Sequence, residues 1–240
     1  MAFGPERNTV IARQAQEAAV IDVGLRQYML GVYNYMASGL ALTGIVAAVV
    51  AMSPGLQQAI FGTPLMWVAI LAPVALVFFL SFRVHKMSAT AAQATFWIYA
   101  ALNGIAFSSI FLVYTGESIA RVFFITAATF AGMSLYGYTT KRDLAGMGSF
   151  LFMGLIGVLI AMVVNLFLAS SALQFAISVI GVIVFTGLTA WDTQRIKEWY
   201  HEGDDREVMG KKSIMGALSL YLDFINLFVM LMQLLGVRRD

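Results

Sequence analysis

Two aspartates carry the strongest chemical signal in this chain, because both fall inside long apolar segments. Asp223 is the only charged residue of residues 213–236, SIMGALSLYLDFINLFVMLMQLLG. About 20 apolar residues are enough to cross a bilayer as a helix. A carboxylate at the centre of such a helix costs about 2.5–3.5 kcal/mol on insertion scales. Helix packing does not require one, so we predict that Asp223 belongs to a functional site facing the bundle interior or a water-filled cavity.

Asp192 is the second candidate, in VFTGLTAWDTQRIKEWY near the cytoplasmic end of the preceding apolar segment. One polar loop joins the two segments, so they must run antiparallel and both aspartates approach from the same side. Two carboxylates that share a site cannot both ionise cheaply, and they then titrate as a unit. The alternatives are that Asp192 is an interfacial acid pairing with Arg195, and that Asp223 is a lone acid bonded to a Ser or Tyr.

Two other polar residues accompany the aspartates. Arg83, in LSFRVHKMS at the cytoplasmic end of the second apolar segment, is the best candidate for a cation that pairs with them. Its alternative role is that of a solvated anchor at the membrane surface. Asn226 lies one turn from Asp223 on the same helix face, and we expect it to hydrogen-bond between helices, with a place in an ion pathway as the alternative.

Several kinds of catalytic chemistry are disfavoured. The two histidines, His85 and His201, lie near loops without metal-ligand spacing, which argues against a zinc hydrolase. The chain has no cysteine for thiol catalysis or thiolate metal sites. No lysine lies deep in an apolar segment to form a Schiff base, and no buried histidine could activate a serine. We therefore expect a protein that is not an enzyme and has no catalytic residues and no resident cofactor.

The elements that hold these residues are apolar helices. The chain is 60% hydrophobic and 12% charged, with a mean hydropathy of +0.81, whereas soluble domains carry about 25% charged residues. Seven apolar segments are separated by mostly short breaks: residues 28–52, 65–82, 93–114, 119–140, 147–169, 172–195 and 213–236. Because lipid cannot satisfy free backbone groups, we predict an all-α integral membrane protein with one seven-helix domain over residues 28–236. The net charge of +2 gives no reason to expect a nucleic-acid partner.

The distribution of lysine and arginine predicts the orientation of the helices. Twelve of the 15 fall in residues 1–27 or in the loops after the second, fourth and sixth segments, and three fall on the other side. By the positive-inside rule, the polar tail of residues 1–27 and the loop of residues 196–212 should be cytoplasmic. The short tail of residues 237–240 should be external. The tail of residues 1–27 has no apolar core, so it is not read as a cleavable signal peptide.

Two motifs resemble a known family. LSLYLDFINLFVMLMQLLG resembles the last membrane span of the Bax inhibitor family (transmembrane Bax-inhibitor-motif proteins) over its full length. FTGLTAWDTQRIK resembles that family's sixth span, although Trp191 precedes the aspartate where tyrosine is more usual. The seven-span layout, the short loops and the polar N-terminal tail agree as well. The chain looks like a bacterial member, which places it in the inner (plasma) membrane.

The resemblance implies a central C-terminal helix wrapped by the other six, and a pH-sensitive calcium leak channel. Asp192 and Asp223 would be its pH sensor and transient calcium ligands, and Arg83 its gating partner. If Arg83 pairs with ionised Asp192 in the closed state, protonation removes that attraction, so the pore should open as pH falls. The alternative is a non-conducting regulator that binds other membrane proteins, such as a quality-control protease, with residues 1–27 as a handle.

Overall fold

The computed structural model describes the backbone of residues 5–239 and the side chains of residues 23–239. This part of the chain folds into helices α1 (Pro5–Met52), α2 (Pro54–Phe61), α3 (Leu65–Arg83), α4 (Ala89–Val113), α5 (Gly116–Thr139), α6 (Ala145–Leu168), α7 (Ser171–Glu198) and α8 (Arg206–Leu235). A 3-10 turn, Val84–Lys86, follows α3. All of these helices except α2 are long and apolar enough to cross a membrane. The prediction of an all-α, seven-span membrane protein is therefore confirmed.

The structure adds detail at two places. Helix α1 begins at Pro5, so residues 5–27 of the polar tail are continuous with the first membrane helix. The break between the first two spans contains the short helix α2, which starts with a proline at its first position, where proline's missing N–H costs nothing. The cytoplasmic location predicted for residues 1–27 stays a prediction.

Helix α8 is the centre of the bundle, as the resemblance implied. Fourteen of its residues are buried, against three in α3 and three in α6. It packs against α1, α4, α5 and α7, while α3 packs on α4 and α6 packs on α7 at the periphery. A helix buried on nearly all sides leaves no lipid-facing stripe, so every side chain of its middle turns must be matched by a protein neighbour.

Helices α7 and α8 lie antiparallel and are bonded at both ends. At one end the Nζ of Lys212 donates to the backbone oxygen of Trp199 at 2.8 Å. Near the other end the hydroxyl of Ser178 lies 2.7 Å from the side-chain oxygen of Gln233. These bonds fix the register of the two helices, and in that register Asp192 of α7 lies within hydrogen-bond reach of Asp223 of α8.

The C-terminal segment folds back onto the turn between α4 and α5. The backbone N–H of Thr115 donates to the oxygen of Val237, and the N–H of Arg239 donates to the oxygen of Val113, both at 2.9 Å. Tyr114 and Arg238 thereby form an isolated antiparallel bridge. These bonds hold the short C-terminal tail against the α4–α5 turn as far as residue 239.

Candidate functional site

The two aspartates line a cleft of about 1040 Å³. Helices α3, α4, α6, α7 and α8 all contribute to its walls. Its lining is mostly apolar, with a few polar side chains gathered on α4, α7 and α8. Such a volume lies at the upper end of the range of about 300–1,000 Å³ that small-molecule sites occupy.

The carboxyl groups of Asp192 and Asp223 lie within hydrogen-bond reach of each other. Asp223 is 4% exposed, whereas Asp192 is only partly buried. An ionised carboxylate accepts hydrogen bonds but cannot donate one. A hydrogen bond between these two groups therefore requires one proton that both share.

Asp223 is poorly satisfied apart from this contact. Its Oδ2 is fully buried and has no N–H or hydroxyl donor among the residues whose side chains the structure describes. A buried polar atom without a partner costs about 1–3 kcal/mol, and a charged one costs more. The site therefore holds unused acceptor capacity, which a proton, a metal cation or another donor can fill.

The structure does not bring Arg83 to the aspartates. Arg83 is exposed in the last turn of α3, and the ion pairs found among the described side chains are Lys211–Glu207 and Lys212–Asp204. The ion pair between Arg83 and Asp192 that the gating hypothesis assumed is thus not present in this conformation. Arg83 lies at the end of a peripheral helix, where an exposed guanidinium is solvated more cheaply than a buried one.

Arg195 is the cation nearest to Asp192, three residues along the same helix. Its guanidinium lies 5.3 Å from the ring centroid of Trp191 and 5.2 Å from that of Trp199. Stacking on two indoles holds the charge at the rim of the cleft, and no salt bridge to Asp192 forms. The alternative drawn from the sequence, that Asp192 pairs directly with Arg195, is therefore not observed. Arg195 attracts Asp192 only over a longer distance.

Asn226 also lines the cleft but does not bond across it. Its amide nitrogen donates to the backbone oxygen of Leu222 in the same helix at 2.8 Å. The expected bond between helices is therefore wrong for this residue. Asn226 lines the same cleft as Asp223. Its role in an ion pathway therefore stays a prediction.

Close helix approaches, which the sequence analysis did not single out, hold Asp192 in position. On α6, Gly148 packs against the indole of Trp191, and a Cβ there would overlap the ring. On α5, Gly137 packs against the backbone oxygen of Ala190 with no room for a Cβ. Small residues allow this approach in membrane bundles, and it fixes the turn of α7 that carries Asp192. Among 21 glycines in the chain, no local pattern marks these two.

Polar side chains also bridge the helices around the pair. The hydroxyl of Tyr33 on α1 bonds to Ser134 on α5 at 2.6 Å, and Ser134 bonds to Thr193 on α7 at 3.0 Å. Thr193 follows Asp192 directly, so this series of hydrogen bonds fixes the far side of the same turn of α7. Serine, threonine and tyrosine are too common in these segments for the sequence to have indicated their partners.

Beyond Asp223, the bundle closes with aromatic and aliphatic side chains. Phe224 lies 5.6 Å from Phe123 and 5.5 Å from Phe130 between ring centroids. Leu227 and Met230 follow on α8 and are fully or almost fully buried. These buried apolar side chains occupy α8 between Asp223 and its C-terminal end.

The pair supplies too few ligands for a complete metal site, and the described residues contain no group of three or more His, Cys, Asp or Glu that could hold a metal ion. Calcium takes 6–8 oxygen ligands at 2.3–2.6 Å, and two carboxylates supply at most four of them. Water would have to complete the shell, which suits transient binding of a transported ion better than tight storage. Because both carboxylates must be ionised to ligate a metal, cation binding would release the shared proton.

Comparison with known proteins identifies the family of this chain. The family model described as inhibitor of apoptosis-promoting Bax1 matches residues 25–240. The inner membrane protein YbhL of Escherichia coli is 50% identical over 219 residues, which cover 90% of this chain and 94% of YbhL. A protein of Rickettsia prowazekii is 53% identical over 221 residues, 91% of this chain and 93% of its own length. The chain therefore belongs to the Bax inhibitor family.

Proposed function

We propose that this protein is a pH-sensitive cation leak channel that passes calcium and is gated by Asp192 and Asp223. One observation carries the proposal: two carboxyl groups meet within hydrogen-bond reach in the middle of the bundle, and one of them is almost fully buried. Ionisable groups inside membrane bundles mark ion or proton pathways by default. Helix α8, which carries Asp223, packs against four other helices, which supports a pathway through the bundle interior.

The contact between the aspartates gives the sign of the pH response. A shared proton holds the pair together, and loss of that proton replaces a hydrogen bond by repulsion between two anions. The paired conformation is thus favoured at low pH, and cation entry is favoured as pH rises. This is opposite to the response expected from an Arg83–Asp192 ion pair, because acidification would break that ion pair but preserves the carboxyl pair.

The membrane that houses the channel is proposed from a relative. YbhL is named an inner membrane protein, and its likeness extends over most of both chains. We place this protein in the bacterial inner membrane on that basis. The lipid bilayer and calcium or other cations would then be its partners.

Calcium uptake into proteoliposomes tests the proposal. We expect the purified parent protein to admit calcium with a rate that rises with pH, and Asp223→Asn to reduce that rate at least tenfold. Asp143→Asn, which alters an exposed aspartate at the start of α6, should leave it unchanged. A parent protein that is folded but passes no calcium at any pH would overturn the leak and favour the non-conducting regulator.

A further inference from the structure

The cleft that holds the aspartates is open on its lipid side. Helices α3 and α6 form its two flanks without packing against each other, since α3 rests on α4 and α6 rests on α7. The flanking side chains lie in the middle of membrane-spanning helices and are still exposed: Phe78 at 57%, Met153 at 64% and Leu159 at 52%. A hydrophobic molecule in the bilayer core can therefore reach the cleft without crossing a polar surface.

The inner end of the cleft is polar and acidic. Asp192 and Asp223 lie there, with Asn103 and Asn226 beside them. The buried Oδ2 of Asp223 has no donor among the described residues. The one cationic side chain of the lining, Arg195, is stacked between two indoles at the rim. Arg195 thus attracts Asp192 from the rim but forms no salt bridge with either carboxylate.

We propose that the cleft is a binding site for single-chain hydrophobic ammonium compounds that enter from the bilayer. The ammonium group donates hydrogen bonds to the carboxyl oxygens of the pair that face the cleft, Asp192 being the more exposed of the two residues. The alkyl chain lies along the apolar flanks formed by Phe78 and Met153. Charge-assisted bonds of this kind are stronger than those between neutral groups, and a site out of bulk water strengthens them further.

Charge selects this ligand over other amphiphiles. An anionic head group would be repelled by the negative charge that the pair keeps when it shares one proton, and a neutral hydroxyl would leave that charge uncompensated. A metal cation can occupy the same carboxyl groups but leaves the apolar flanks unfilled. The inference does not depend on conduction, because ligand binding requires only the conformation that the structure shows.

Equilibrium binding of radiolabelled dodecylammonium to the full-length protein in phosphatidylglycerol nanodiscs tests the proposal, with empty nanodiscs as background. We expect one saturable site per protein that dodecanol and dodecyl sulfate of equal chain length do not compete for. Asp223→Asn should weaken binding at least tenfold, while Asp143→Asn should bind like the parent. Met153→Trp narrows the open side without altering a carboxylate, and it should also reduce binding.

Three results would overturn the proposal: no saturable binding to the folded parent protein, equal competition by dodecanol, or parental affinity in both Asp223→Asn and Met153→Trp. Displacement of the probe by phosphatidylethanolamine would assign the cleft to a bilayer lipid and would also overturn it. Binding is measured without ion flux, so a protein that fails to leak calcium can still support this site. A leaking protein that does not bind the probe refutes this site alone.

Discussion

Asp223 is tolerated at the centre of α8 because the helix is enclosed by protein and because Asp192 lies within hydrogen-bond reach. One proton shared between the two carboxyl groups halves the charge that the bundle must bury. The fit is still incomplete, since Oδ2 of Asp223 lacks a donor among the described residues. A group held in this state responds strongly to protons and cations, which is the property that the proposed leak requires.

The Asp192→Asn variant tests the shared proton. An asparagine amide can donate to ionised Asp223 without any added proton, so the contact should persist at every pH. We expect the pH dependence of calcium uptake to flatten. The uptake rate of the variant should change less than about threefold over a pH range in which the uptake rate of the parent changes at least about tenfold. The measurement is uptake into proteoliposomes between pH 5 and 8. A variant that keeps the parental pH profile would show that Asp192 is only an interfacial charge.

Cysteine crosslinking tests the contact itself, and the chain has no native cysteine to interfere. Asp192→Cys combined with Asp223→Cys should react readily with a short bifunctional thiol reagent, because the parent carboxyl groups lie within hydrogen-bond reach. The control pair, Arg83→Cys with Asp192→Cys, should react much more slowly, because Arg83 is exposed at the end of α3. Mass spectrometry of the digested protein gives both yields. Faster reaction of the control pair would support the ion pair between Arg83 and Asp192 that the gating hypothesis assumed.

At the scale of the helices, the site depends on the close packing of α6 against α7. The flat face of the Trp191 indole lies on Gly148, where a Cβ has no room. This contact orients the turn that carries Asp192 and also supports one of the two indoles that hold Arg195. Other positions of α6 face open space, since nothing lies within 4 Å of a Cβ added at Gly157, so substitutions along this helix should differ sharply in cost.

A pair of glycine substitutions in α6 measures this difference. Gly148→Ala should destabilise the protein by about 1–3 kcal/mol, the usual cost of overpacking. Gly157→Ala is the matched control, since nothing lies within 4 Å of its added Cβ, and alanine should stabilise the helix by up to about 1 kcal/mol. Thermal unfolding in detergent, followed by tryptophan fluorescence, compares them. Equal transition temperatures would contradict the packing described for Trp191.

At the scale of the whole molecule, the structure gathers basic side chains at one end of the bundle. Lys197 donates to the backbone oxygen of Tyr138 and Lys212 to that of Trp199, both at this end. At the opposite end Arg121 reaches the oxygen of Leu235. This grouping matches the sides deduced from the loops, but which end faces the cytoplasm stays a prediction of the positive-inside rule.

Reporter fusions decide the orientation. A fusion after Lys212 should report a cytoplasmic location and a fusion after Pro54 an external one, because twelve of the 15 basic residues lie on the predicted cytoplasmic side. Alkaline phosphatase, active outside, and green fluorescent protein, fluorescent inside, give independent readings. Cytoplasmic readings at both positions would contradict the seven-span topology.

The sequence by itself determined the features that depend on local composition. Long apolar segments must be helices in lipid, because a helix satisfies its own backbone, so the seven spans and their approximate ends followed directly. Asp223 stood out because a carboxylate is costly at that depth, and the motifs around it and Asp192 carried the family resemblance. None of these inferences required knowledge of which helices touch.

Only the tertiary structure decided the features that depend on side chains distant in sequence. The register of α7 against α8 brought Asp192 to Asp223, which spacing along either helix could not fix. Helix α3 ended with Arg83 in solvent, while two indoles retained Arg195 at the rim of the cleft. The gap between α3 and α6 arises because each helix packs on a different neighbour. These features follow from packing in three dimensions, and hydropathy and local motifs carry no information about that packing.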